Sequence, residues 1–170
     1  GTLQNSAFRF PGLLQPLFDL GWLPNRFYGT RLNGRYAQQQ YASAKAFRVD
    51  HPLGAAMMAR GAAITDVGPL DEHFFMYCEE IDWAWRMHKA GWQAWLVPQA
   101  EVVHYGGAST NQVKPQTTAY LWQSRAYLYR KHHSRLMQTL VGAFVRHTFK
   151  QKLAPSPEWK AVYQKIIETW

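Results

Sequence analysis

Glu79, Glu80 and Asp82 place three carboxylates within four residues, inside the stretch Phe74-Phe75-Met76-Tyr77-Cys78-Glu79-Glu80-Ile81-Asp82-Trp83-Ala84. The chain has only 11 Asp and Glu among 170 residues, so this concentration marks a place where chemistry is expected. Grouped carboxylates can take a proton from a substrate hydroxyl or ligate a cation. Acids in a first helical turn also complement the helix dipole, by about 0.3–1 kcal/mol each. On a helix Glu80 stands about 100° from Glu79 and Asp82 about 60° from it, and Asp82 has the i,i+4 spacing to pair with Arg86. A second acid pair, Asp71-Glu72, reads either as a helix N-cap with an acid in the first turn or as a binding group. His104 lies 24 residues beyond Glu80 and opens His104-Tyr105-Gly106-Gly107-Ala108-Ser109. An imidazole holds Mg²⁺ or Mn²⁺ only alongside oxygen ligands, so His104 needs partners from elsewhere.

The elements that must position these groups are short. Residues 1–45 carry scattered turn signals (Pro11-Gly12, Leu23-Pro24-Asn25, Leu32-Asn33-Gly34) and read as loop with short helical pieces. Phe47-Arg48-Val49 and Ala56-Met57-Met58 read as strands, with His51-Pro52 as a break between them. Gly61–Val67 predicts a short helix stopped by Gly68, and Glu79–Ala90 a second one closed by Gly91. Trp92–Val97 alternates as a strand before Pro98, and Ala100–Tyr105 predicts another. From Thr117 the pattern is helical, broken near Ser134 and at Ala154-Pro155-Ser156-Pro157. Trp83, Trp85, Trp92 and Trp95 read as core residues rather than as platforms for a sugar ring.

The segment Gly54–Ser109 carries four pieces in order: Gly54-Ala55-Ala56-Met57-Met58-Ala59-Arg60, Gly68-Pro69-Leu70-Asp71-Glu72-His73-Phe74-Phe75, Glu79-Glu80-Ile81-Asp82, and His104-Tyr105-Gly106-Gly107-Ala108-Ser109. This progression resembles the second half of the catalytic domain of family 2 glycosyltransferases, and most closely the bacterial rhamnosyltransferase-like branch. The resemblance implies an α/β fold, a partial GT-A domain with a few short strands and a mostly helical C-terminal tail. Residues 1–110 would form the acceptor-side half and residues 111–170 the tail. It also implies an inverting transfer of a sugar, rhamnose being one candidate, from a nucleotide-sugar donor to a cell-envelope glycan or lipid-linked acceptor.

Through the same resemblance the catalytic acids are Glu80, as the general base, and its neighbour Glu79. Glu80 stands where the family more often has Asp, and reaches one methylene further. Gly54 and Ala55, Asp71 and Glu72, and Asp82 fall at positions that shape the donor and acceptor sites. Outside the resemblance, the small side chains at Gly54-Ala55-Ala56 are equally read as tight sheet packing, and Asp82 as a cap or ion-pair residue. The family uses a divalent metal, Mg²⁺ or Mn²⁺, to neutralise the departing diphosphate, with His104 completing its coordination. The remaining ligands belong to an Asp-x-Asp motif in an N-terminal nucleotide-binding half. The five Asp here, at 19, 50, 66, 71 and 82, contain no such motif. The chain is therefore expected to be a fragment of a longer protein, inactive alone. A non-catalytic binding or assembly module is the alternative.

Composition sets further bounds. At 170 residues and 47% hydrophobic content one ordinary core is expected. The lone Cys78 excludes an intrachain disulfide and a multi-cysteine zinc site, Gly1–Ser6 does not read as a signal peptide, and no apolar run spans a bilayer. The expected compartment is the cytoplasm, with peripheral contact at the inner face of its membrane as an option. The net charge of +8 is confined to one end: residues 1–110 carry 9 Lys+Arg against 9 Asp+Glu, residues 111–170 carry 10 against 2. In that tail Leu136, Met137, Leu140, Val141, Phe144, Val145 and Phe149 recur at helical spacing beside Lys131, Arg135, Arg146 and Lys150. Two readings of residues 130–152 stand open. One is a basic helix on an anionic leaflet, each cation contributing about 1 kcal/mol; the other is a helix packed on its own domain with a solvated basic face. Nucleic-acid binding is not expected, because the cations accompany an apolar stripe and no recognised module is present. An isolated half-domain would also expose an apolar face through which a homodimer could form.

Overall fold

A computed structural model of the chain describes residues 3–104 and 114–170. They form two compact units. The first comprises the described residues up to Asp71 together with Glu79–His104; the second comprises Glu72–Cys78 and the described residues after His104. The class is α/β, with two small two-stranded sheets among the described residues and helix as the main element.

In the first unit, strand β1 (Ala7–Phe8) is followed by helices α1 (Leu14–Asp19) and α2 (Gln38–Ala42), with single 3₁₀ turns at Asn25–Phe27 and Arg31–Asn33 between them. Strand β2 (Phe47–Val49) and strand β3 (His51–Pro52) come next, then helices α3 (Gly61–Val67) and α4 (Glu79–Lys89) and strand β4 (Ala94–Leu96). β1 and β3 pair antiparallel with Ala7 opposite Pro52 and Phe8 opposite His51. β2 and β4 pair antiparallel with Arg48 opposite Trp95 and Val49 opposite Ala94. Asp50 joins the two pairings, accepting a bond from the Phe10 N–H at 2.9 Å. Period-two alternation explains β2: Val49 is buried while Arg48 is exposed. Gly68 and Gly91 terminate α3 and α4 with φ of 79° and 90°, a region that costs a residue with a β-carbon.

The strand expectations need three corrections. His51-Pro52 is not a break but β3: a two-residue pairing survives without the missing proline N–H. Ala56-Met57-Met58 forms no strand; the run is exposed, Met58 fully so, and finds no pairing partner among the described residues. Residues 100–104 likewise form no strand. No helix begins at Asp71-Glu72 either, which removes the N-cap reading of that pair.

In the second unit, helices α5 (Lys114–His132), α6 (Arg135–Gln151) and α7 (Pro157–Thr169) pack around Trp122, Leu128, Tyr129, Val141, Val145 and Ile166. The helix starts follow local chemistry. The Ser134 and Ser156 side chains accept from the N–H groups of Met137 and Trp159, and Pro157 occupies the first turn of α7. The chain end is fastened by Arg146, which donates to the Trp170 carbonyl at 2.5 Å, and by the Trp170 indole, which donates to the Trp122 carbonyl at 3.0 Å. The Phe74 ring is buried edge-on against Tyr127, and Ser124 donates to the Met76 carbonyl, so both belong to this helical unit. No described helix is long and apolar enough to cross a membrane.

Candidate functional site

Two consecutive non-glycine residues, Tyr77 and Cys78, adopt left-handed backbone with φ of 70° and 68° immediately before α4. Such conformations cost of order 1–3 kcal/mol each and persist where the surroundings fix them. The turn they make delivers Glu79, Glu80 and Asp82 into the first turn of α4, within the first unit.

The three acids have different surroundings. Asp82 is fully buried and bonded to Arg86, Oδ2 to Nε at 2.9 Å, the spacing read from the sequence. Arg86 also donates to the carbonyls of Val67, at 2.5 Å, and Pro69, at 2.7 Å. The pair thus clamps α4 to the segment that leaves α3, and the Trp83 indole adds a bond to the Gly68 carbonyl at 2.9 Å. Glu79 has one carboxyl oxygen, Oε2, buried with no hydrogen-bond partner among the described residues. A buried acceptor left so is costly, by about 1–3 kcal/mol or more for a charged group.

Glu80 is half-buried and lines a cleft of about 570 Å³ in the first unit. Gly54 lies against it: a β-carbon on Gly54 would stand 3.5 Å from Glu80 Cβ and Cγ. Burial pushes the Glu80 carboxyl up to about 7, the negative charge of Glu79 adds to the rise, and the backbone N–H groups of Glu80 and Ile81 partly offset it. A carboxyl poised near neutral pH can exchange a proton with a hydroxyl substrate in the cleft. The cleft lining also brings in residues distant in sequence. Asp50, at the join between the two strand pairings, and Arg60, ahead of α3, supply one charge of each sign. Trp83, Trp92 and Trp95 supply aromatic surface, the Trp92 indole being fixed by a bond to Asp66 Oδ2 at 2.9 Å.

Of the residues singled out in the sequence, the structure brings Gly54 and Glu80 into contact and sets Glu79 and Asp82 on the same helical turn. Ala55 is exposed and Ala56, beside it, lines the cleft. Asp71 is half-buried at the end of the first unit's leading segment, and Glu72 is exposed at the start of the 72–78 segment of the second. His104 is exposed, its Nδ1 3.0 Å from Gln4 Oε1, while Tyr105–Ser109 lie outside the described residues. The sequence reading missed Asp50 and His88 as lining groups, treated Arg60 only as the last letter of a motif, and took Trp92 and Trp95 as core although Trp95 is 54% exposed. Only Arg60 carried a signal, through its motif.

A divalent metal needs several oxygen or nitrogen ligands that converge on one point. Among the described residues no three of His, Cys, Asp and Glu converge as a ligand set. His104 with Gln4 offers one nitrogen and one amide oxygen, and the orphaned Glu79 oxygen is a further donor. These described residues alone do not build a metal centre.

Comparison with known proteins gives the chain glycosyltransferase relatives. It is 42% identical over 59 residues to an N-acetylglucosaminyl-diphospho-decaprenol L-rhamnosyltransferase of Mycobacterium tuberculosis, covering 35% of this chain and 19% of that protein. It is 29% identical over 133 residues to a galactofuranosyl glycosyltransferase of Leishmania donovani, covering 72% of this chain and 30% of the relative. It is 37% identical over 57 residues to the rhamnosyltransferase WbbL of Escherichia coli K12, covering 34% and 22%. The chain thus spans between about a fifth and a third of the length of these relatives. No family model and no solved structure matches it. These relatives are glycosyltransferases, rhamnosyltransferases among them.

Proposed function

We propose that this chain is the acceptor-side part of an inverting, family 2 type GT-A glycosyltransferase in which Glu80 is the general base. The observation that carries the reading is the Glu80 carboxyl: half-buried on the wall of a cleft, beside a glycine, and held near neutral pH by burial. In the reaction the ionised Glu80 carboxylate takes the proton of an acceptor hydroxyl while that oxygen forms a bond to the anomeric carbon of the donor sugar. The bond from that carbon to the nucleoside diphosphate breaks, and the diphosphate leaves with the electron pair. Attack opposite the leaving group inverts the anomeric centre. Asp50 and Arg60 offer polar contacts to the acceptor, and the Asp82–Arg86 clamp fixes the helix from which Glu80 projects.

The names of two relatives support rhamnose as the transferred sugar, a third names galactofuranose, and the decaprenol of the first supports a lipid-linked acceptor, with a cell-envelope glycan as the other acceptor class of the proposal. A divalent cation at the diphosphate would draw its ligands mainly from groups outside this chain, with His104 as the contribution from within it. The test is sugar transfer from dTDP- or UDP-linked donors by the intact protein carrying Glu80→Gln. The proposal expects turnover to fall by about 10²–10⁴ with folding intact. Undiminished turnover would favour a non-catalytic binding or assembly role.

A further inference from the structure

The second unit carries a feature that glycosyl transfer does not use. α6 is two-faced: Val141, Val145 and Phe149 are buried in the three-helix core. The opposite face, formed by Leu136, Thr139, Leu140, Ala143, His147 and Lys150 at helical spacing, is exposed along the helix. Leu136 is 70% exposed and Leu140 41%, and Leu153, two residues beyond α6, is 94% exposed. Exposed cations bracket this face, Arg135 at the start of α6, and Lys150 and Lys152 at its end. No acid occurs between Lys114 and Ser156, and residues 111–170 carry 10 Lys+Arg against 2 Asp+Glu.

We propose that the outward face of α6, with Leu153, docks on an anionic lipid surface. Apolar side chains bracketed by cations match the two layers of such a surface, acyl chains beneath and phosphate groups above. A polyanion bound through charge alone would have no use for the leucines. A second copy of this chain would meet like charge at both ends of the patch, which disfavours a face-to-face pair. The helix lies flat on the surface and does not insert across it, since its buried face is already committed to the three-helix core. The inference is independent of the role given to Glu80.

The test is co-sedimentation of the full chain with vesicles of phosphatidylcholine alone or with about one-third phosphatidylglycerol, at low and high salt. Two variants accompany it, Leu136→Ser/Leu140→Ser/Leu153→Ser and Arg135→Gln/Lys150→Gln/Lys152→Gln. All six side chains are exposed, so unchanged helicity and melting are expected for both. The proposal expects binding to the anionic vesicles only, weakened at least about tenfold by either variant and by high salt. It is overturned if the chain ignores anionic vesicles, or if the leucine variant binds them as the parent does. It is equally overturned if the chain self-associates without lipid and the leucine variant abolishes that, or if duplex DNA binds to the parent and the leucine variant alike and displaces the vesicles.

Discussion

Gly54 packs against Glu80, the absent side chain leaving 3.5 Å from the position of a β-carbon to Glu80 Cβ and Cγ. The glycine is thereby tied to the acid 26 residues later, and its small size leaves the carboxyl its place on the cleft wall. At 3.5 Å an alanine makes ordinary van der Waals contact, so Gly54→Ala is expected to fold with a stability change under about 1 kcal/mol. Gly54→Val adds two methyl groups against the carboxyl and should displace it, cutting turnover while leaving the melting temperature nearly unchanged. Paired denaturation and transfer assays on the two variants check this.

Glu80 also links pH to stability. Its carboxyl is raised from 4.5 to about 7, so between those values the folded chain holds a proton that the unfolded chain has released. Stability from this group is fully present below pH 4.5, falls as pH rises to about 7, and is level above that. Glu80→Gln, which cannot ionise, should therefore be more stable than the parent by about 1–3 kcal/mol at pH 8 and indistinguishable at pH 4. Urea titrations at the two pH values measure the difference. A residue that costs stability where it is ionised is what a site retained for chemistry is expected to contain.

Asp82 should behave in the opposite way. Its carboxylate is fully buried and bonded to Arg86, which also holds the carbonyls of Val67 and Pro69. Asp82→Ala leaves that guanidinium without its counter-charge and should cost about 3–5 kcal/mol at neutral pH. Asp82→Asn, which keeps a hydrogen-bond acceptor, should cost less. Chemical denaturation followed by tryptophan fluorescence reads both, because Trp83 is bonded to the same segment through the Gly68 carbonyl.

These sites show where sequence is legible. Punctuation residues marked α3, α4, α6 and α7 because their cause is local: Gly68 and Gly91 take left-handed backbone, Ser134 and Ser156 cap, and Pro157 starts a helix. The Asp82–Arg86 pair was readable for the same reason, since i,i+4 spacing on a helix fixes proximity. Strands were harder. Ala56-Met57-Met58 and residues 100–104 are largely apolar but have no strand partner among the described residues, whereas His51-Pro52 pairs because Ala7 and Phe8 come alongside. Partnering is a tertiary fact that a short run does not encode. The cleft shows the same limit: Asp50, Arg60, Trp92 and Trp95 line it together with Glu80, and apart from the motif that ends in Arg60 nothing in their own neighbourhoods announces it.

If Glu80 is the base, its ionisation governs the pH dependence of kcat/KM for sugar transfer by the intact protein. The rate should rise with pH through an apparent pKa near 7 as Glu80 ionises, and a Glu80→Gln protein should be slower by about 10²–10⁴ and lack that rise. A Glu80→Gln protein that keeps both the rate and the rise within about threefold of the parent would contradict it.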